Sequence, residues 1–95
     1  MQYEWDPRKN ERLKSERKVS FENIVFHLER GDVWMISDHP DQNHYPGQRI
    51  YFVIMDEYIY LVPHFMEENY IFLKTIIPSR KATKAYRSKQ QARET

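Results

Sequence analysis

The sequence predicts an α+β domain in which N-terminal helices pack on an antiparallel sheet of about four strands, with a basic helix closing the chain. Three observations carry this reading. Residues 50–55, 58–62 and 70–77 form apolar runs dense in Ile, Val, Phe and Tyr, separated by gaps of hairpin length. Phe21, Ile24, Val25 and Leu28 recur at i, i+3, i+4 and i+7, the spacing of one buried helical stripe. Pro78-Ser79 punctuates the last apolar run, and residues 80–95 beyond it carry six cations and one acid.

Ninety-five residues make one domain, expected over residues 1–88, with 89–95 a polar basic tail expected to fray. A chain of this size hides roughly 60–65% of its extended surface, enough for one core. There is no cysteine, hence no disulfide framework and no thiolate chemistry, which fits a cytoplasmic location. No apolar run approaches the ~18 residues of a spanning helix and no basic-then-apolar leader is visible, so neither export nor a membrane partner is expected. The formal net charge is +1, unevenly placed: residues 1–79 balance at −4 and residues 80–95 at +5. A cationic end on a mildly acidic body suggests an anionic partner for that end.

Taken in order, Tyr3 and Trp5 alternate with polar residues, as in a short strand or an extended lead-in. Asp6-Pro7 starts a helix over residues 7–17, since Asp accepts from orphan N–H groups and Pro suits the first helical position. Leu13 is that helix's one apolar anchor; Arg8, Lys9, Arg12, Lys14, Arg17 and Lys18 make it a second cationic patch. Ser20 caps the next helix, and Gly31 is its left-handed stop. Residues 32–37 read as the first strand of the main sheet. Residues 38–47 form a long polar connection, where Asp38, His39, Asp41 and His44 bring oxygen and nitrogen donors close. Their spacing matches no established ligand set, and neither a metal nor another cofactor is expected.

The central strands are apolar on both faces, Ile50, Phe52 and Ile54 against Tyr51, Val53 and Met55. Such a sheet needs cover on both sides. One helix supplies one side; the other calls for the terminal helices or another protein. In the last helix Arg80, Lys84 and Arg87 fall at i, i+4 and i+7, with Ala82, Ala85 and Tyr86 opposite.

Two glycines in the chain argue against nucleotide-cofactor folds, and no nucleophile elbow or paired-carboxylate signature is present. A scatter of Arg, Lys, His and Tyr suits contact with a polyanion, with cations on phosphate and aromatic rings on exposed bases. Cleaving RNA needs a base for the 2′-hydroxyl, charge stabilisation at phosphorus and an acid for the leaving oxygen. His39, His44 or His64 could move the protons, and Arg49, Lys74 and Arg80 could hold phosphate. A non-catalytic protein- or RNA-binding module would need only the cations.

Glu4-Trp5-Asp6-Pro7-Arg8-Lys9, then Val19-Ser20-Phe21-Glu22, then His44 and Arg49, then Ile76-Ile77-Pro78-Ser79-Arg80-Lys81-Ala82 resemble the BrnT family of bacterial toxins, in that order and across residues 3–86. The resemblance implies a RelE-like fold and the toxin of a type II toxin–antitoxin system, an RNA endonuclease that inhibits translation. It implies as partners a cognate DNA-binding antitoxin and an RNA substrate that can be ribosome-associated, with DNA met only through the antitoxin complex. Lys9, Arg49 and Arg80 are the residues carried over by position. With the residue reading added, the expected catalytic set is Arg49, Arg80 and His64, and the expected RNA-binding set is Lys9, Lys74, Lys81, Lys84 and Arg87. Glu16-Arg17-Lys18 stand where the family usually has Lys-His-Gly.

Overall fold

The computed structural model describes residues 2–94 and is an α+β fold of three helices and one mixed sheet. Its elements are β1 (Gln2–Glu4), α1 (Pro7–Arg17), α2 (Phe21–Arg30), β2 (Val33–Asp38), β3 (Arg49–Met55), β4 (Tyr58–Met66), β5 (Tyr70–Leu73), β6 (Ile77–Pro78) and α3 (Arg80–Glu94). Met1 of the expected lead-in and Thr95 of the expected tail lie outside the described residues.

Local signals set the helix ends. The Asp6 carboxylate accepts from the Arg8 N–H, with Pro7 in the first turn. Ser20 Oγ accepts from the Asn23 N–H, and Gly31 ends α2 at φ +83°, its N–H directed at the carbonyls of His27 and Leu28. Between the two helices Asn10, buried in an otherwise charged stretch, acts as a clamp. Its Oδ1 accepts from the Phe21 N–H (2.9 Å) and its Nδ2 donates to Glu22 Oε1 (2.7 Å). That bond, ahead of Lys14 and the other contacts, holds the Glu22 carboxyl below its ordinary range.

The sheet runs β1-β5-β4-β3-β2, with β6 also paired to β4. β3 and β4 form a hairpin whose two-residue turn is Asp56-Glu57, at φ +53° and +60°, the type I′ arrangement. β4 pairs with β3 along residues 58–64 of one edge. Along its other edge β5 pairs with 64–66 and β6 with 60–61. Within the expected α+β fold the sheet is larger than the four or so strands expected: among the described residues six strands form it, and β1 joins β5 in parallel, Tyr3 opposite Ile71. The physical reason is register. Opposite Ile71 on the outer edge of β5, Tyr3 joins the face that carries Ile71 and Leu73 and packs against the core. The helix expected to end near Ser88 continues to Glu94, because Lys, Gln, Ala and Arg hold helical geometry without an apolar face.

Alternation along the strands defines two faces. Tyr51, Val53, Met55, Val62, Ile71 and Leu73 point at α1 and α2 and form the core with Leu13, Val19, Phe21, Ile24 and Ile76. Trp5 stacks on Phe21 at 5.6 Å. The opposite face carries Phe52, Ile54, Ile59, Leu61, Phe65 and Phe72. Among the described residues α3 is the one helix on it: Thr83 Oγ1 accepts from the Ile59 N–H (2.8 Å) and donates to the Ser79 carbonyl (2.7 Å), and Tyr86 meets Trp34 edge-on. Among the described residues no helix is long and apolar enough to cross a membrane.

Candidate functional site

The candidate residues fall into separate groups. At the turn end of the hairpin, Ser79 Oγ accepts from the Ala82 N–H, and the Thr83 bonds fix the first turn of α3 to β4. This anchoring sets Arg80, Lys84 and Arg87 around a concavity of about 520 Å³, completed by Tyr58, Thr83, Ser88 and Gln91. Arg87 also donates to the Glu57 carbonyl (3.3 Å). Among the described residues no carboxylate lines this concavity. Among the described residues none of Arg80, Lys81, Lys84, Arg87, Lys89 and Arg93 forms an ion pair. Lys81 lies on the same helix, exposed, and is not part of the lining.

At the far end of the same strands Arg49 and His64 stand directly opposite each other. His64 is 1% exposed and stacks on Tyr51 at 3.7 Å with planes 9° apart. Its Nδ1 lies 3.0 Å from the Val62 carbonyl, which can only accept, so Nδ1 carries the proton and Nε2 the lone pair. Burial holds the imidazole below its ordinary pKa; the Arg49 charge adds to this and the bond to Val62 opposes it. Tyr51 is pushed up, first by burial and then by Tyr3, with Arg49 acting against. Arg49 itself meets Asp38 at 3.5 Å.

The structure therefore divides the expected catalytic set. Arg49 and His64 come together, with Tyr51 as a third member that sequence reasoning missed. Arg80 is elsewhere: Pro78 pairs with Tyr60, four residues along β4 from His64, about 13 Å at ~3.3 Å per residue, and the chain then moves further away. Of the expected RNA-binding residues, Lys84 and Arg87 join Arg80. Lys74 stands apart, its ammonium 5.7 Å from the Phe65 ring centre. Lys9 lies with Arg12, Arg17 and Thr75 in a smaller concavity, where the Arg17 guanidinium donates to the Ile76 carbonyl (3.0 Å). In the long loop, His44 Nδ1 donates to Asp41 (2.7 Å), and His39 Nδ1 accepts from the Asp41 N–H. Among the described residues no three His, Cys, Asp or Glu side chains converge as metal ligands.

Tyr58 and Thr83 also escaped the sequence reading. Tyr58 follows the Asp56-Glu57 turn directly, and that position beside the last helix was its only signal. Chemically, the α3 concavity can hold phosphates, face a base with an aromatic ring and stabilise charge developing on a phosphoryl group. Among the described residues its proton carriers are the hydroxyls of Tyr58, Thr83 and Ser88 and the ammonium of Lys84. Comparison with protein families, curated proteins and solved structures returns no match to this chain.

Proposed function

We propose that this chain is the toxin of a type II toxin–antitoxin system: a cytoplasmic RNA endonuclease that inhibits translation and is neutralised by a cognate DNA-binding antitoxin. The observation that carries the reading is the concavity of Arg80, Lys84 and Arg87 around Tyr58, lined by no carboxylate among the described residues. Three cations on one anchored helix can track a phosphate backbone, and Tyr58 offers a stacking face. The BrnT-like residue order supports the choice of RNA and of cleavage. Within this reading Arg80 and Lys84 stabilise the charge on phosphorus, and proton transfer falls to Lys84 or Tyr58, residue types able to act as general acid or base.

A second reading, a non-catalytic RNA- or protein-binding module, is favoured by one observation: His64 is buried and remote from Arg80. The test is induced expression in a bacterial host beside Arg80→Ala and Lys84→Ala, with RNA cleavage measured on the purified proteins. Arrest and cleavage by the parent are expected, with the rate falling roughly 10²–10³-fold in Arg80→Ala. Normal growth with folded protein that binds RNA without cutting it would establish the binding module instead.

A further inference from the structure

The face that carries α3 is only partly covered, and its open part is ordered. Cross-strand register aligns Met35 with Phe52, Phe52 with Leu61 and Leu61 with Ile77. One apolar row thus crosses β2, β3, β4 and β6 without a polar side chain. Its two ends are exposed, Met35 at 43% and Ile77 at 41%. Phe65 and Phe72, stacked at 5.2 Å, extend the apolar surface on the same face. The row begins where α3 stops: Tyr86 meets Trp34, and the other contact of Trp34 is Phe52. Of the other exposed apolar side chains, Phe26 lies beneath the Arg30 guanidinium, Met66 at a strand end, Tyr45 against His39, and Ile36 on the opposite face of β2 from the row.

We infer that this row is the seat of an acidic amphipathic helix from a partner protein, laid beside α3. The dimensions fit. Four strands span roughly 14 Å at about 4.8 Å per step, the length of about ten helical residues. The row lies two residues, about 6.6 Å, along the strands from the Ile54–Ile59 pair under α3, so a second helix at the ordinary interaxial spacing of about 8–10 Å covers the row from its far side, toward the Ile50–Pro63 pair. Charge selects the occupant. Lys89 and Arg93 flank Trp34 and Tyr86 at the edge of the row, on the side of α3 away from the Tyr58 concavity, and form no ion pair among the described residues. An acidic helix answers that charge, whereas a second copy would bring α3 against α3 or the row against itself with the cations unanswered. This inference stands apart from the proposed nuclease activity: it concerns the neighbouring face and holds for toxin or binding module alike.

The experiment titrates the full chain with a fluorescein-labelled sixteen-residue helix bearing Leu on one face and Glu on the other, beside a twin with Lys for Glu, read by anisotropy. The acidic peptide is expected to bind at least about tenfold tighter than its twin. Met35→Lys and Ile77→Lys, both at exposed positions and checked for folding by circular dichroism, each weaken it by about tenfold or more. Hydrogen exchange of the complex shows protection on β2 and around Leu61. Equal binding of the two peptides, no binding near 1 mM, or indifference to both substitutions overturns the inference. So does concentration-dependent self-association of the free chain that either substitution abolishes.

Discussion

The two faces of the sheet are built from the same residue types and end in different states. On one, Val53, Val62, Leu73 and Ile71 meet two helices and lose contact with water. On the other, Phe52, Leu61, Phe65 and Phe72 remain half-exposed beside a single helix. The difference lies in how much helix each face receives. α1 and α2 arrive as a clamped pair, joined through Asn10, whereas α3 crosses only the row of Ile54 and Ile59. Apolar side chains in a strand show that a face can be covered; the helices decide whether the chain covers it by itself.

This contrast can be broken directly. Phe21→Ala empties a fully buried site and is expected to cost about 3–5 kcal/mol in chemical denaturation. Phe52→Ala, the same change on the open face, should cost no more than about 1.5 kcal/mol. Equal costs would show that the second face is closed in solution. His64 sharpens the comparison through pH. Burial lowers its folded pKa below the ordinary value of 6.5, so the unfolded chain takes up a proton that the native one refuses. Stability is therefore full above that value and falls as pH drops below it. The denaturation midpoint followed from pH 7.5 to 5 should decline, and His64→Gln should flatten the slope. The smallest effect concerns neither face but their shared hairpin. Glu57 sits at φ +60°, so Glu57→Gly should stabilise the fold by about 1 kcal/mol, read as a raised midpoint.

How much of this was legible in the sequence follows from the range of each interaction. The caps of α1 and α2, the Gly31 stop, the hairpin turn and the twice-apolar strands depend on neighbours within a few positions, and the residues show them. The parallel addition of β1 to β5 depends on partners at opposite ends of the chain, and nothing local encodes it. The site was half legible for the same reason. The ridge of Arg80, Lys84 and Arg87 follows from helical spacing. The separation of Arg49 from Arg80 follows from which half of β4 each lies beside, which only the assembled sheet reveals. His64 reads as a candidate acid or base because histidine usually is one. Its alternation with Val62 was the available sign that it faces the core.

The pairing of β1 with β5 also orders events in time. Residue 2 waits for residue 70, so a chain emerging from the ribosome at about 5–20 residues per second holds its first strand unpaired for roughly 3 to 14 seconds. During that interval the helices can form, but the outer edge of the sheet does not exist. Tyr3, which packs against the core, is made well before the strand it pairs with and is among the last to find its place.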